Sequence, residues 1–314
     1  MRLNKNSKIF IAGHKGMVGR SLCNYLKKKG YKKIITVSKK KLNLLNQKQT
    51  QNAFKKIKPD FVVLAAARVG GILANDKLRG QFIYENLMIQ TNVIHSSYIV
   101  GVKKLIFLGS SCIYPKFANQ PIKEESLLDG KLEPTNDAYA IAKIAGVKMC
   151  EAYNKQYNTN YICLMPTNLY GPNDNYDNQT SHFFPAIISK IYEAKIKNKK
   201  SIKIWGNGKS KRELMYVDDL SSACEYFLKI KTNHFLINIG SGLEKTINDY
   251  TKYIMKKLNL NLKITYDKTK PNGTPRKIVS TKLAKRYGWK SKYSLDYGFK
   301  KVINDYLKKI DIST

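Results

Sequence analysis

Acidic residues are scarce in this chain. Asp and Glu number 22 against 57 Lys and Arg, a formal net charge of +35 over 314 residues. Such an excess favours anionic partners: nucleic acid, an acidic membrane surface or phosphorylated small molecules. The lysines are spread over the whole length beside many Asn, Ile and Tyr, so solvated lysines in a lysine-rich composition explain the charge without a partner. No zinc module, aromatic ladder or basic recognition helix is present, so the charge alone supports only nonspecific contact with nucleic acid.

Cysteine is also sparse. The five, Cys23, Cys112, Cys150, Cys163 and Cys224, form no CxxC and no Cys–His cluster with ligand spacing. That argues against a disulfide framework and a structural metal, and points to a reducing, cytoplasmic compartment. Long apolar runs are missing too. The longest is Phe61–Ala67, against about 20 residues for a membrane span. The basic start, Met1–Lys8, leads into only Ile9–Ala12 before Gly13-His14-Lys15, too short for a signal peptide. Hydrophobic residues at 43% and charged residues at 25% are ordinary for a globular protein. A chain of this length is expected to form about two domains with cores of their own.

The first half alternates β-branched runs with amphipathic segments. Strands are expected at Lys8–Ala12, Ile34–Val37, Phe61–Ala65, Lys104–Leu108 and Tyr161–Met165. Helices are expected at Met17–Lys29, Gln47–Lys56, Gln81–Val100, Ala138–Tyr157 and Ser181–Lys195. This alternation predicts an α/β fold, a doubly wound parallel sheet of Rossmann type. Further strands at Ser201–Trp205, Glu213–Tyr216, Phe235–Ile239 and Lys263–Tyr266, a helix at Thr246–Leu258, and loops at Gly171–Thr180 and Lys268–Arg276 follow less regularly. They suit a smaller, discontinuous substrate domain. The expected division gives residues 1–170 and about 213–245 to the cofactor domain, and about 171–212 with 246–314 to the other.

Gly13-His14-Lys15-Gly16-Met17-Val18-Gly19 follows the first strand and opens the first helix. In that context the glycines allow a tight turn, backbone approach to a pyrophosphate, and close helix–strand packing. The helix N-terminus adds free N–H groups and partial positive charge. An NAD site usually carries an acid after the second strand. Here the stretch reads Val37-Ser38-Lys39-Lys40-Lys41. Lys39, with Lys15 in the loop, favours the 2′-phosphate of NADP.

Tyr139 and Lys143 stand four residues apart on one helix face. An ammonium nearby is expected to lower the phenol's pKa, and such a Tyr can pass a proton to a substrate oxygen. Ser110, after the strand ending at Leu108, would present a hydroxyl at the same sheet end. From spacing alone Cys112 reads as a packed thiol and His182 equally as a helix-start residue or an acid. Arg212 reads equally as a solvated charge, and Asp218-Asp219 as the cap of the following helix.

These residues resemble the extended short-chain dehydrogenase/reductases. Within that family the match narrows to the branch that makes GDP-L-fucose. It rests on Phe10–Gly19, Ala65-Ala66-Ala67-Arg68-Val69-Gly70-Gly71-Ile72 and Leu108–Pro115. It continues through Pro134-Thr135-Asn136, Tyr139–Gly146, Met165–Pro172 and Gly273-Thr274-Pro275-Arg276-Lys277. The resemblance implies a GDP-4-keto-6-deoxy-D-mannose 3,5-epimerase and 4-reductase using NADPH, with no metal. It implies Cys112 as base and His182 as acid at C3 and C5, and Tyr139, Ser110 and Lys143 at the C4 ketone. The cofactor would be held by Gly13, His14, Lys15, Gly16, Met17, Val18, Gly19, Lys39, Leu108, Gly109, Lys143, Pro166, Thr167, Asn168, Leu169 and His182. Lys190, Trp205, Arg212 and Asn272 would contact the GDP-sugar. A homodimer is implied, built on the helices Gln81–Val100 and Ala138–Tyr157, where Phe82, Leu87, Ile89 and Ile94 are the apolar positions. The chain departs from the family at Lys15, often Arg, and at Asn46 and Asn272, both often Asp. The same-fold alternative is an NAD-dependent nucleotide-sugar 4-epimerase or dehydratase, which would need neither Cys112 nor His182.

Overall fold

A computed structural model describes residues 3–177 and 180–311. Residues 1, 2, 178, 179 and 312–314 lie outside the described residues; they fall in the expected basic start, the expected loop Gly171–Thr180 and the end of the expected second domain.

The strands in chain order are β1 (Ile9–Ala12), β2 (Ile34–Ile35), β3 (Phe61–Leu64), β4 (Lys104–Leu108), β5 (Tyr161–Pro166), β6 (Asn168–Tyr170), β7 (Ser201–Trp205), β8 (Lys211–Tyr216), β9 (Leu236–Ile239), β10 (Glu244–Thr246), β11 (Lys263–Asp267) and β12 (Arg276–Lys277). The helices are α1 (Met17–Lys28), α2 (Gln47–Ile57), α3 (Ile72–Lys77), α4 (Arg79–Ile99), α5 (Asp137–Tyr157), α6 (Phe183–Ile196), α7 (Val217–Lys229), α8 (Ile247–Lys257), α9 (Lys282–Arg286) and α10 (Leu295–Asp311).

The main sheet is parallel and runs β2-β1-β3-β4-β5-β9. Its inner strands read as unbroken apolar runs because helices cover both faces. On one face α1 and α7 pack together, with Leu22, Leu26, Leu220 and Phe227 against Ile9, Val63 and Ile106. On the other, α2, α4 and α5 bury Phe54, Val93 and Val147 against Phe10, Val62 and Phe107. Chain order reverses across β1, with β2 on one side and β3 on the other, and that switch opens a crevice at the carboxyl ends of the strands.

A second sheet, β10-β8-β12 with β6 also on β8, contributes residues to that crevice, and β11 pairs with β7. These strands and α6, α8 and α10 share a separate core around Phe184, Ile188, Tyr250, Ile254 and Phe299.

Asp218 and Asp219 do not cap α7. Tyr216 is the N-cap residue and makes no side-chain cap bond. Asp218 instead accepts from the Ser21 hydroxyl at 2.6 Å, tying α7 to α1. Buried Asp219 accepts the backbone N–H groups of Lys292 at 2.7 Å and Tyr293 at 3.3 Å. Asn46 fills the capping role at α2, accepting from the Gln49 N–H at 2.9 Å. The amide oxygen does there what a carboxylate would.

Candidate active site

The crevice closes into one cavity of about 330 Å³ between the main sheet and the second sheet. Ser110, Cys112, Tyr139, Lys143, His182, Lys190, Trp205, Arg212 and Asn272 all line it. So do Met17, Val18, Leu108, Gly109 and Pro166–Leu169. Lys15 and Lys39 lie outside the lining, both exposed.

The loop after β1 fits a pyrophosphate. Gly13 has φ +92°, and a Cβ there would sit 2.6 Å from the Ala66 backbone nitrogen. The turn therefore lies against the end of β3, where only glycine fits. Gly16, the N-cap of α1, provides no side chain to satisfy the helix N–H groups, and no acid occupies the first turn. Those unclaimed donors are what a dinucleotide's phosphates need. Arg20 braces the loop by donating to the Lys15 carbonyl at 2.9 Å.

Lys143 is buried, and its Nζ donates to the Leu108 carbonyl at 2.9 Å. Burial pushes its pKa down to about 7. Tyr139 differs from the sequence expectation. Burial and the neighbouring Cys112 push the phenol above its ordinary range, and a hydrogen bond with Ser110 pulls only part of the way back. Lys143, whose Nζ donates to Leu108, is not among the groups that act on the phenol. The result is a Tyr that keeps its proton, the form a proton donor needs.

Cys112 is half-buried, not packed in the core; Cys150, Cys163 and Cys224 are the buried thiols. Ser110 caps the short 3₁₀ turn Ser111–Ile113, accepting from the Cys112 N–H at 3.2 Å. The sulfur accepts from Lys277 Nζ at 3.3 Å and from Asn136 Nδ2 at 3.5 Å. Burial raises the thiol pKa, but Lys277, the Ser110 bond and Arg212 together outweigh it, and the net shift is downward. Lys277 and Asn136 are the site residues that sequence reasoning missed. Each lies in a quoted motif, yet nothing in a lysine-rich sequence distinguishes Lys277 until the fold brings it to the sulfur.

His182 is the N-cap of α6 without a side-chain cap bond, and its ring opens onto the cavity. It is thus both a helix-start residue and a cavity residue. Loss of surrounding water, then the Lys277 charge, lower the imidazole pKa. The loop before it is anchored by the Gly71 N–H, which donates to the Thr180 carbonyl at 2.8 Å.

At the far end Lys190 Nζ sits 5.0 Å from the centre of the Trp205 ring and donates to the Lys203 carbonyl at 3.1 Å. Arg212 is buried and pushed down to about 10 by its burial. Its guanidinium reaches the Asn272 carbonyl at 3.2 Å, while Asn272 Oδ1 accepts from the Asn207 N–H at 2.9 Å. Cation, aromatic face and amide here form an end suited to a nucleoside diphosphate. No cluster of His, Cys, Asp and Glu able to hold a metal occurs among the described residues.

Residues 9–240 match the NAD dependent epimerase/dehydratase family. The chain is 46% identical to the GDP-L-fucose synthase of Sinorhizobium fredii, over 99% of this chain and 98% of that protein. It is also 46% identical to putative GDP-L-fucose synthase 2 of Arabidopsis thaliana, over 98% and 94%. Among solved structures, a GDP-6-OMe-4-keto-L-xylo-heptose reductase from C. jejuni superposes with a TM-score of 0.91 at 36% identity, covering 98% of this chain and 100% of that one. A GDP-L-fucose synthetase from Naegleria fowleri bound to NADP gives 0.89 at 25% identity, over 99% and 97%. The chain therefore belongs to the NAD dependent epimerase/dehydratase family, in the group of the GDP-L-fucose synthases.

Proposed function

We propose that the protein converts GDP-4-keto-6-deoxy-D-mannose to GDP-L-fucose, by epimerisation at C3 and C5 and then reduction at C4 with NADPH. The observation that carries this reading is the meeting, in one cavity, of a thiol shifted towards its anion, an imidazole, and a phenol held protonated. A ketone reductase alone needs only the last of these.

The C4 ketone acidifies the hydrogens on C3 and C5. Cys112 takes the proton from one face and His182 returns one to the other. Tyr139 then protonates O4, with Ser110 hydrogen-bonded to the same oxygen. NADPH, when bound, supplies the hydride for C4. Gly13–Gly19 and the α1 N-terminus would hold its phosphates, Lys143 the nicotinamide ribose, and Leu108, Gly109, Pro166–Leu169 and His182 the rest. Lys15 and Lys39, with no acid after β2, suit the 2′-phosphate. Lys190, Trp205, Arg212 and Asn272 take the GDP-sugar.

We assign residues 1–170 and about 213–245 to the cofactor side, and the remainder to the substrate side. The homodimer is placed on α4 and α5. Tyr84, Tyr98, Ile141 and Tyr157 are exposed there, whereas Phe82 and Ile94 are buried in the subunit's own core. Unpaired cysteines suit a cytoplasmic enzyme, and no helix among the described residues is long and apolar enough to cross a membrane. Incubation with GDP-4-keto-6-deoxy-D-mannose and NADPH, with the product identified by NMR, tests the reading. GDP-L-fucose is expected; a product unchanged at C3 and C5 would contradict it.

A further inference from the structure

Two of the motifs that mark this family lie far apart in sequence, and both end on one atom. Pro134-Thr135-Asn136 brings the Asn136 amide to 3.5 Å from Cys112 Sγ, and Gly273–Lys277 brings the Lys277 ammonium to 3.3 Å. We propose that Lys277 is a catalytic residue, the counter-cation that holds the Cys112 sulfur as an anion, with Asn136 as its second donor. The inference rests on the functional reading above and extends it.

A lysine is a flexible point charge, so a fixed distance needs a fixed backbone. Gln120 provides it on both sides of Lys277. Its Nε2 donates to the Arg276 carbonyl at 3.0 Å, and its Oε1 accepts from the Ile278 N–H at 3.0 Å. Buried Glu213 accepts the next N–H, that of Val279, at 3.0 Å. β12 itself pairs with β8, placing Lys277 opposite Arg212. Lys277 is only 9% exposed and takes part in no ion pair found among the described residues. Its charge is therefore directed at the sulfur and is not neutralised by a carboxylate.

Other charged and titratable groups face Cys112 from each neighbouring element. Arg212 on β8 adds positive charge, Tyr139 on α5 is coupled to the thiol, and Glu133 acts on Arg212. His182, at the start of α6, feels Lys277 as well. Lys277 is the one that touches the sulfur. In the proton step, the C–H bond at C3 or C5 breaks, the S–H bond forms, and the released electron pair moves to the C4 oxygen. Lys277 keeps its protons throughout. Its charge lowers the barrier by favouring the anion.

The test needs no substrate. The rate at which iodoacetamide alkylates Cys112 is followed against pH by mass spectrometry of the Cys112 peptide, in the whole enzyme, in Lys277→Met and in Lys277→Arg. NADPH binding by fluorescence reports that each variant is folded. The midpoint is expected to rise by one unit or more in Lys277→Met and to stay within about half a unit in Lys277→Arg. With GDP-4-keto-6-deoxy-D-mannose in deuterated water, Lys277→Met is expected to lose tenfold or more of the exchange at C3 and C5 at pH 7, and Lys277→Arg to retain most of it. An unchanged alkylation midpoint in Lys277→Met, or an equal shift in both variants, would overturn the proposal. Absence of exchange in the unaltered enzyme would instead overturn the functional reading and leave the alkylation result standing.

Discussion

Lys143 donates to the carbonyl of Leu108 at 2.9 Å, so the lysine of the Tyr–Lys pair is tied to the end of β4. Burial lowers its pKa to about 7, and burial with Cys112 raises that of the Tyr139 phenol. That arrangement favours Tyr139 as a donor of its proton.

Tyr139→Phe removes the donor for O4 and leaves Cys112 and His182 in place. Reduction, followed by NADPH absorbance, is expected to fall by about 10²–10⁴-fold, the usual contribution of a general acid. Deuterium uptake at C3 and C5 is expected to continue. Loss of both together would show that Tyr139 also serves the epimerisation.

NADPH is expected to be preferred to NADH. Lys39 and Lys15 carry positive charge beside a stretch without an acid. Lys39→Glu is expected to reduce the ratio of the two kcat/KM values by about tenfold, equivalent to about 1.4 kcal/mol. Equal kcat/KM values in the unaltered protein would refute the cofactor assignment.

The two half-reactions should respond differently to pH. Cys112 acts when deprotonated, and its pKa is lowered from the ordinary thiol value, so the acid limb of exchange lies at lower pH than a free cysteine would give. His182 acts when protonated, and its pKa lies below 6.5, so exchange declines on the alkaline side of that lowered value. Tyr139 remains protonated beyond its ordinary 10.0, so its proton donation imposes no basic limb below that pH. Exchange rates measured from pH 5 to 9 check this. A steady rise to pH 9 would exclude imidazolium as the acid.

The assignment of α4 and α5 to the subunit interface makes Ile141 and Tyr84 central to it. They are 47% and 59% exposed, more than large apolar side chains on a core-facing helix pair require. Light scattering at micromolar concentration is expected to give a dimer, and Ile141→Glu with Tyr84→Glu a folded monomer. A monomeric unaltered protein would contradict the assignment.

Most of the main sheet is legible in the sequence, since fully buried parallel strands appear as continuous apolar runs; Leu105–Leu108 in β4 is an example. Of the second sheet only its central strand β8 is, as Glu213–Tyr216. β12 has two residues and β6 and β10 three each, too short for any period to emerge, and their partners on β8 are distant in the chain. Helix α10 did carry a readable signal, Leu295, Phe299, Val302 and Tyr306 at helical spacing, all buried in the second core. In the site, Tyr139, Lys143 and Ser110 are found from position and chemistry. Cys112 and His182 need the family resemblance, because a lone thiol and a lone imidazole have ordinary structural roles. Lys277 needed the fold, as its partner lies 165 positions away.

On this reading the cavity epimerises before it reduces, with Cys112 as the base. The most direct measurement is proton NMR of GDP-4-keto-6-deoxy-D-mannose in deuterated water without cofactor, comparing the unaltered protein with Cys112→Ser. Deuterium uptake at C3 and C5 is expected in the first and its collapse in the second, since a serine hydroxyl is far too weakly acidic to supply the anion. Undiminished uptake in Cys112→Ser would show that another group is the base.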